Sequence, residues 1–112
     1  RVHRFARALT ASADASELVH VLRVMFDPQR CGGNERHLRV DLADSSAGLH
    51  VRNHVAAPTD GAGADLVLTI TRAAWGDVLN GGRSIAHVLG DGDATASDAA
   101  AVVETLSWFD LG

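Results

Sequence analysis

Residues 65–72 constrain the fold of this chain more than any other segment. Leu66, Leu68 and Ile70 fall on one side of an extended segment, with Thr69 and Thr71 on the other. That is the period of two expected of a half-buried strand. With no intervening loop the pattern becomes helical over residues 72–80 and stops at Gly81-Gly82. Thr71 can close the strand and cap the helix at once, because its hydroxyl can accept from a free backbone N–H of the first turn. The junction predicts a sheet-and-helix module that builds an apolar pocket, and no reacting group stands beside it.

The flanking segments supply the other layers. Asp14 and Glu17 have the spacing of a capping box. Ala15, Leu18, Val19, Leu22, Met25 and Phe26 then form one apolar stripe, so residues 14–26 are expected to be a helix, ended by Asp27-Pro28. Leu38, Val40 and Leu42 alternate with His37, Arg39 and Asp41, and Leu49 and Val51 alternate with His50 and Arg52. With a turn at Asp44-Ser45-Ser46, these segments read as an antiparallel hairpin with one wet face. Asn53-His54 predicts a second turn before a short strand over residues 55–57, and residues 59–63 a loop.

Ser84 is expected to cap a short helix over residues 85–89, stopped by Gly90. Residues 93–96 form a poor strand. Ser97 is the expected cap of the last helix, with Asp98 in its first turn. Ala99, Val102, Val103, Leu106 and Phe109 make its apolar stripe. Ahead of all this, Val2, Phe5, Ala6 and Leu9 oppose Arg1, Arg4 and Arg7, so residues 1–12 read as an extension or linker helix with a solvated basic face. The order predicts one α+β domain over residues 1–112, with a mainly antiparallel sheet and helices covering one face.

Composition and motifs exclude more than they assign. Net charge is −4, every basic residue is arginine, and only 4% of residues are aromatic. Nucleic-acid binding draws on clustered cations and stacking rings, so neither nucleic acid nor an anionic membrane surface is the expected partner. The lysine-free, Ala/Gly/Arg-rich composition suggests a GC-rich bacterial source. No membrane span and no signal peptide are visible, so a cytoplasmic protein is expected. The single cysteine, Cys31, excludes an internal disulfide and has no local base to activate it. His50 and His54 straddle a turn rather than sharing a helix face, and Asp91, Asp93 and Asp98 lack the remaining ligands of a calcium loop. No metal and no cofactor is expected. Gly61 and Gly63 precede a strand, which fails the test for a phosphate-binding loop. No nucleophile with a partner and no acid/base pair emerges, so the chain is read as non-catalytic.

What remains is apolar surface: Trp75, Val78 and Leu79 on one helix, and Trp108 and Phe109 at the end. Periodicity alone leaves open whether it is a filled core or lines a hollow one. Here the chain resembles the sterol carrier protein type 2 superfamily, and within it the small C-terminal domain of bacterial alkyl sulfatases. The likeness rests on Asp65-Leu-Val-Leu-Thr-Ile-Thr-Arg72, the Gly-containing break, Ser84-Ile85, and a final helix ending Leu106-Ser-Trp-Phe109-Asp110. It covers roughly residues 14–110. Ser97-Asp98 stands where that family usually has Gly-Asp.

The resemblance implies a twisted five-stranded sheet, an apolar cavity under the helices, and chemistry residing in a separate zinc hydrolase domain. Apolar faces and resemblance together predict a binding module for an aliphatic or lipid-like tail, lined by Leu22, Met25, Phe26, Trp75, Leu79, Leu106 and Phe109. A ten-carbon tail offers roughly 8 kcal/mol of gross burial at ~0.8 kcal/mol per methylene. The expected partners are that small molecule and either a hydrolase domain or a second copy of the chain. The alternative is a ligand-free structural or dimerisation domain.

Overall fold

The computed structural model describes residues 14–111. The helix expected over residues 1–12 lies outside them. In chain order the elements are α1 (Ala15–Val24), β1 (Arg36–Asp41), β2 (Ser46–Arg52), β3 (Val55–Thr59), β4 (Leu66–Ile70), α2 (Arg72–Leu79), α3 (Ile85–Asp91), β5 (Ala94–Ala96) and α4 (Ala99–Leu106). The five strands form one sheet in the order β3-β2-β1-β4-β5. Three pairings are antiparallel, and β1–β4 at the centre is parallel, so the mainly antiparallel sheet is a mixed one.

Register explains why one face is apolar. Leu38 stands opposite Leu49 on one side and Leu66 on the other, and Val40 stands between Ala47 and Leu68. Val51 pairs with Ala56, and Ile70 with Ala94. All of these are buried in one core with the helices. The opposite face carries His37, Arg39, His50, Thr69 and Thr95, none of them buried. There the imidazoles of the directly paired His37 and His50 stack, with centroids 4.9 Å apart. The expected inward and outward sets of β1, β2 and β4 thus hold. Helix α1 lies over β2 and β3, while α4 packs on β4 and β5 with α3 against it.

Local chemistry sets the element ends. Asp14 accepts from Glu17 N at 2.9 Å and completes the expected capping box. Thr71 accepts from Ala74 N at 3.1 Å, and Ser84 from His87 N at 3.1 Å, as expected of N-caps. Asn53 and His54 both have positive φ, 54° and 61°, which a tight hairpin turn requires. Gly48 sits in β2 because a Cβ there would lie 2.7 Å from Gly61 Cα.

Four boundaries differ from expectation. Helix α1 ends at Val24, leaving Met25 and Phe26 just beyond it. Strand β3 runs on through Pro58 to Thr59, which an edge strand tolerates. Helix α3 passes Gly90 and stops at Gly92, whose φ of 82° makes it the left-handed cap. Asp98, not Ser97, caps α4 by accepting from Ala101 N at 3.1 Å. Ser97 is committed to the sheet: its N–H donates to Val67 O and its Oγ accepts from Val67 N, both at 2.9 Å.

Candidate functional site

An apolar groove of about 410 Å³ opens between α2, α3, α4 and the final segment. Its volume lies in the ~300–1,000 Å³ range of small-molecule pockets. Val78 forms one wall, and Ile85 and Ala86 the wall from α3. Val103 and Leu106 come from α4, and Phe109 and Leu111 close the far end. Arg83 and Ser84 supply polar groups at the lip.

The walls are fixed by the chain turns around them. After α2, the amides of Gly82 and Arg83 both donate to Asp77 O, at 2.8 and 3.3 Å. This tight reversal sets Arg83 at the lip and leaves Ser84 to cap α3. After α4, Phe109 N donates to Leu106 O at 3.2 Å and turns the chain back. Two further bonds, Asp27 N to Trp108 O at 2.9 Å and Asp110 N to Met25 O at 2.7 Å, strap this segment to the end of α1. Phe26 and Phe109 pack ring against ring at 5.2 Å, and Arg30 Nη1 donates to Phe109 O at 3.1 Å. Phe109 is thus held as a rigid end wall.

Of the seven residues named from sequence, Leu106 and Phe109 line this groove. Leu22, Trp75 and Leu79 are fully buried in the core and Met25 nearly so, while Phe26 packs on the back of Phe109. The indole Nε1–H of Trp75 is a buried donor without a hydrogen-bond partner among the described residues, a cost of about 1–3 kcal/mol. The rest of the groove's apolar lining, Val78, Ile85, Ala86, Val103 and Leu111, lies outside those seven. Ile85 and Val103 already showed as apolar helix positions; which neighbour they would leave uncovered is a tertiary matter.

Two arginines unnoticed in the sequence organise the surroundings. Arg36 on β1 donates from Nη1 to Ala101 O and Thr105 Oγ1, both at 3.2 Å, pairs with Glu104 at 2.9 Å, and lies over the Trp108 ring at 5.4 Å. It ties the central strand to α4. Arg83 pairs through Nε with Asp77 at 2.9 Å, and through Nη1 with Asp91 at 3.0 Å and Asp93 at 2.9 Å. The hydrogen bonds it donates to Asp93 and then to Asp77 hold its guanidinium further above the ordinary arginine value. It therefore stays charged at every working pH.

Cys31 and His54 meet at a shared backbone carbonyl. Cys31 is buried and its Sγ–H donates to Pro28 O at 3.1 Å. His54 Nδ1 lies 3.1 Å from the same oxygen and 3.6 Å from Sγ. A carbonyl oxygen at that distance calls for the Nδ1–H tautomer, and an imidazole presenting N–H cannot take the thiol proton. Among the described residues no group of three or more His, Cys, Asp or Glu is placed to hold a metal ion, and no helix is long and apolar enough to cross a membrane.

No protein-family model matches the sequence, and no curated protein does. Solved structures do match. The stereoselective inverting sec-alkylsulfatase Pisa1 from Pseudomonas sp. superposes with a TM-score of 0.76 at 16% identity, over 89% of this chain but only 17% of that one. A ubiquinone synthesis protein, UbiJ-SCP2, gives a TM-score of 0.58 at 16% identity over 93% of this chain and 95% of its own. Palmitated SCP2L2 from Aedes aegypti gives 0.54 at 12% identity over 94% and 90%. The chain has the sterol-carrier-protein fold, in a form that resembles one part of an alkyl sulfatase.

Proposed function

We propose that this chain is a non-catalytic binding module for an aliphatic or lipid-like tail, which lies in the groove between α2, α3 and α4. We further propose that it serves as the accessory, tail-receiving domain of an alkyl sulfatase-like hydrolase. The observation that carries the reading is the groove itself: seven of its eleven lining residues are apolar side chains, converging from three helices and the terminal segment. Two likenesses support it. One protein of similar fold was solved in palmitated form, and another is an alkylsulfatase matched over 17% of its length. Leu106 and Phe109 are the proposed contacts at the floor and end. Leu22, Met25, Phe26, Trp75 and Leu79 would be reached by a tail that parts the helices from the sheet.

The test is titration with decyl maltoside below its aggregation concentration, read by tryptophan fluorescence and by calorimetry. Binding by the parent chain and a loss of at least roughly tenfold in Ala86→Trp is expected, since an indole at this exposed position would fill the groove without touching the core. A parent chain that gives no heat and no spectral change, yet self-associates in sedimentation, would overturn the reading in favour of a ligand-free dimerisation domain.

A further inference from the structure

The tail-binding reading leaves the polar end of the ligand unassigned, and the lip of the groove bears on it. The one cation lining the groove among the described residues is Arg83. A lone arginine there would attract a sulfate, a phosphate or a carboxylate. Arg83 is not in that state. Its Nε and Nη1 already hold three carboxylates, Asp77, Asp91 and Asp93, at 2.9–3.0 Å. One positive charge against three negative gives the cluster behind the lip a net charge of minus two; of its four members Arg83 alone lines the groove.

The surroundings do not reverse that sign. His87 Nε2 lies 3.3 Å from Asp91 and adds a positive charge only when protonated. At the other end of the groove, Arg30 is close to Phe109 but is already paired with Asp27 at 3.2 Å. The other polar side chains lining the groove are two serines: Ser84 Oγ accepts from His87 N as the α3 cap, and Ser107 Oγ donates to Glu104 O, so the groove offers an anionic head no further cation.

We infer that the groove selects amphiphiles with an uncharged or cationic head and disfavours those with an anionic head, the selection being set by the Arg83–Asp77–Asp91–Asp93 cluster. This deepens the tail-binding reading and rests on it. An alkyl chain whose anionic group is gripped elsewhere would enter with its methyl end first, and an uncharged alcohol would be held better than the anion it derives from. Two net charges within reach of a head group, in a solvent-exposed setting, make a difference of roughly five- to tenfold in affinity at low salt.

The experiment compares decyl maltoside, decyltrimethylammonium, decanoate and decyl sulfate, all below aggregation, by calorimetry on the parent chain and on Asp91→Asn/Asp93→Asn. Asparagine keeps an acceptor for Arg83 while removing the negative charges. The expected order at low salt is cationic, then neutral, then anionic, collapsing near 1 M salt where the screening length is ~3 Å. In the double variant Arg83 and Asp77 leave the cluster neutral, and the anionic probes should gain until they bind about as well as the cationic one. Equal or tighter binding of the anionic probes by the parent chain would overturn the inference and leave tail binding standing. An anionic penalty that survives in the double variant would overturn its assignment to this cluster. Absence of binding by all four probes would sink the tail-binding reading itself. Should the double variant not fold, as judged by circular dichroism, Asp93→Asn alone and the parent head-group series carry the test.

Discussion

Helix α1 and the α2–α3–α4 group begin from the same kind of apolar stripe and end in different states. The α1 stripe closes completely: Ala15, Leu18, Val19 and Leu22 are at most 1% exposed, seated on β2 and β3. The α3 and α4 stripes close only in part. Val88, Val102 and Leu106 are buried, yet Leu89 and Val103 stay partly open, and the gap between the helices is the groove. An apolar stripe measures what a helix would bury, whereas the length and angle of its neighbours decide what it does bury. Helix α1 spans ten residues against two long strands, while α3 has seven and faces β5, a strand of three. Short partners leave surface uncovered.

The sharpest way to break this comparison is to cut one side chain from each region. Leu22→Ala removes a fully buried side chain from the closed side and should cost about 2–5 kcal/mol, because the cavity cannot collapse. Val103→Ala, on the groove wall, should cost less than about 1 kcal/mol. Urea denaturation of both variants checks this. Equal costs would mean that the groove side is as tightly packed as the α1 side.

Ligand linkage separates the regions next. Saturation at a hundred times its dissociation constant by a bound tail adds about 2.7 kcal/mol of stability. Hydrogen exchange should then slow most in α2, α3 and α4 and least in β2 and β3, whose ladder is already packed beneath α1. Protection rising evenly over the sheet would place the tail beneath α1, near Leu22 and Met25, instead of in the groove.

The two regions also differ in how much of them was readable. Much of α1, β1, β2 and β4 that depends on neighbours within four residues was visible: the Asp14–Glu17 box, the Thr71 cap, the alternation of Leu38 and Val40, and the Asn53-His54 turn, though not the end of α1 at Val24. What was hidden depends on chain distant in sequence. The parallel β1–β4 pairing joins segments separated by two other strands. Arg36 reaches α4 across 65–69 positions. Ser97 looked like a cap until β4 claimed both its N–H and its hydroxyl, which shifted the cap to Asp98. Gly90 looked like a helix stop, but a glycine two residues later could take the left-handed angle and let α3 run on. The lip cluster was hidden in the same way: Asp91 and Asp93 read only as an incomplete calcium loop, and the fold brings Arg83 between them and Asp77. The groove was hidden because it is a difference between two packings, and a single stripe carries no information on its partner.

The smallest expected effect tests whether the closed side is also the more cooperative one. Asp14 and Ser84 cap helices in the two regions by the same bond, a side-chain oxygen accepting from the third residue's amide at 2.9 and 3.1 Å. Asp14 has more to lose. Glu17 reaches back to its N–H at 3.4 Å, and the helix it opens carries the stripe that seals β2 and β3. Asp14→Ala should therefore cost about 1 kcal/mol of global stability. Ser84→Ala opens a seven-residue helix at the rim of a groove, and its loss can be absorbed by fraying there. It should lower the global midpoint by less than half as much while speeding amide exchange at His87 and Val88. Equal global losses from the two substitutions would show that the groove wall unfolds only with the whole domain. The groove would then be a rigid slot and would not open wider to admit a tail.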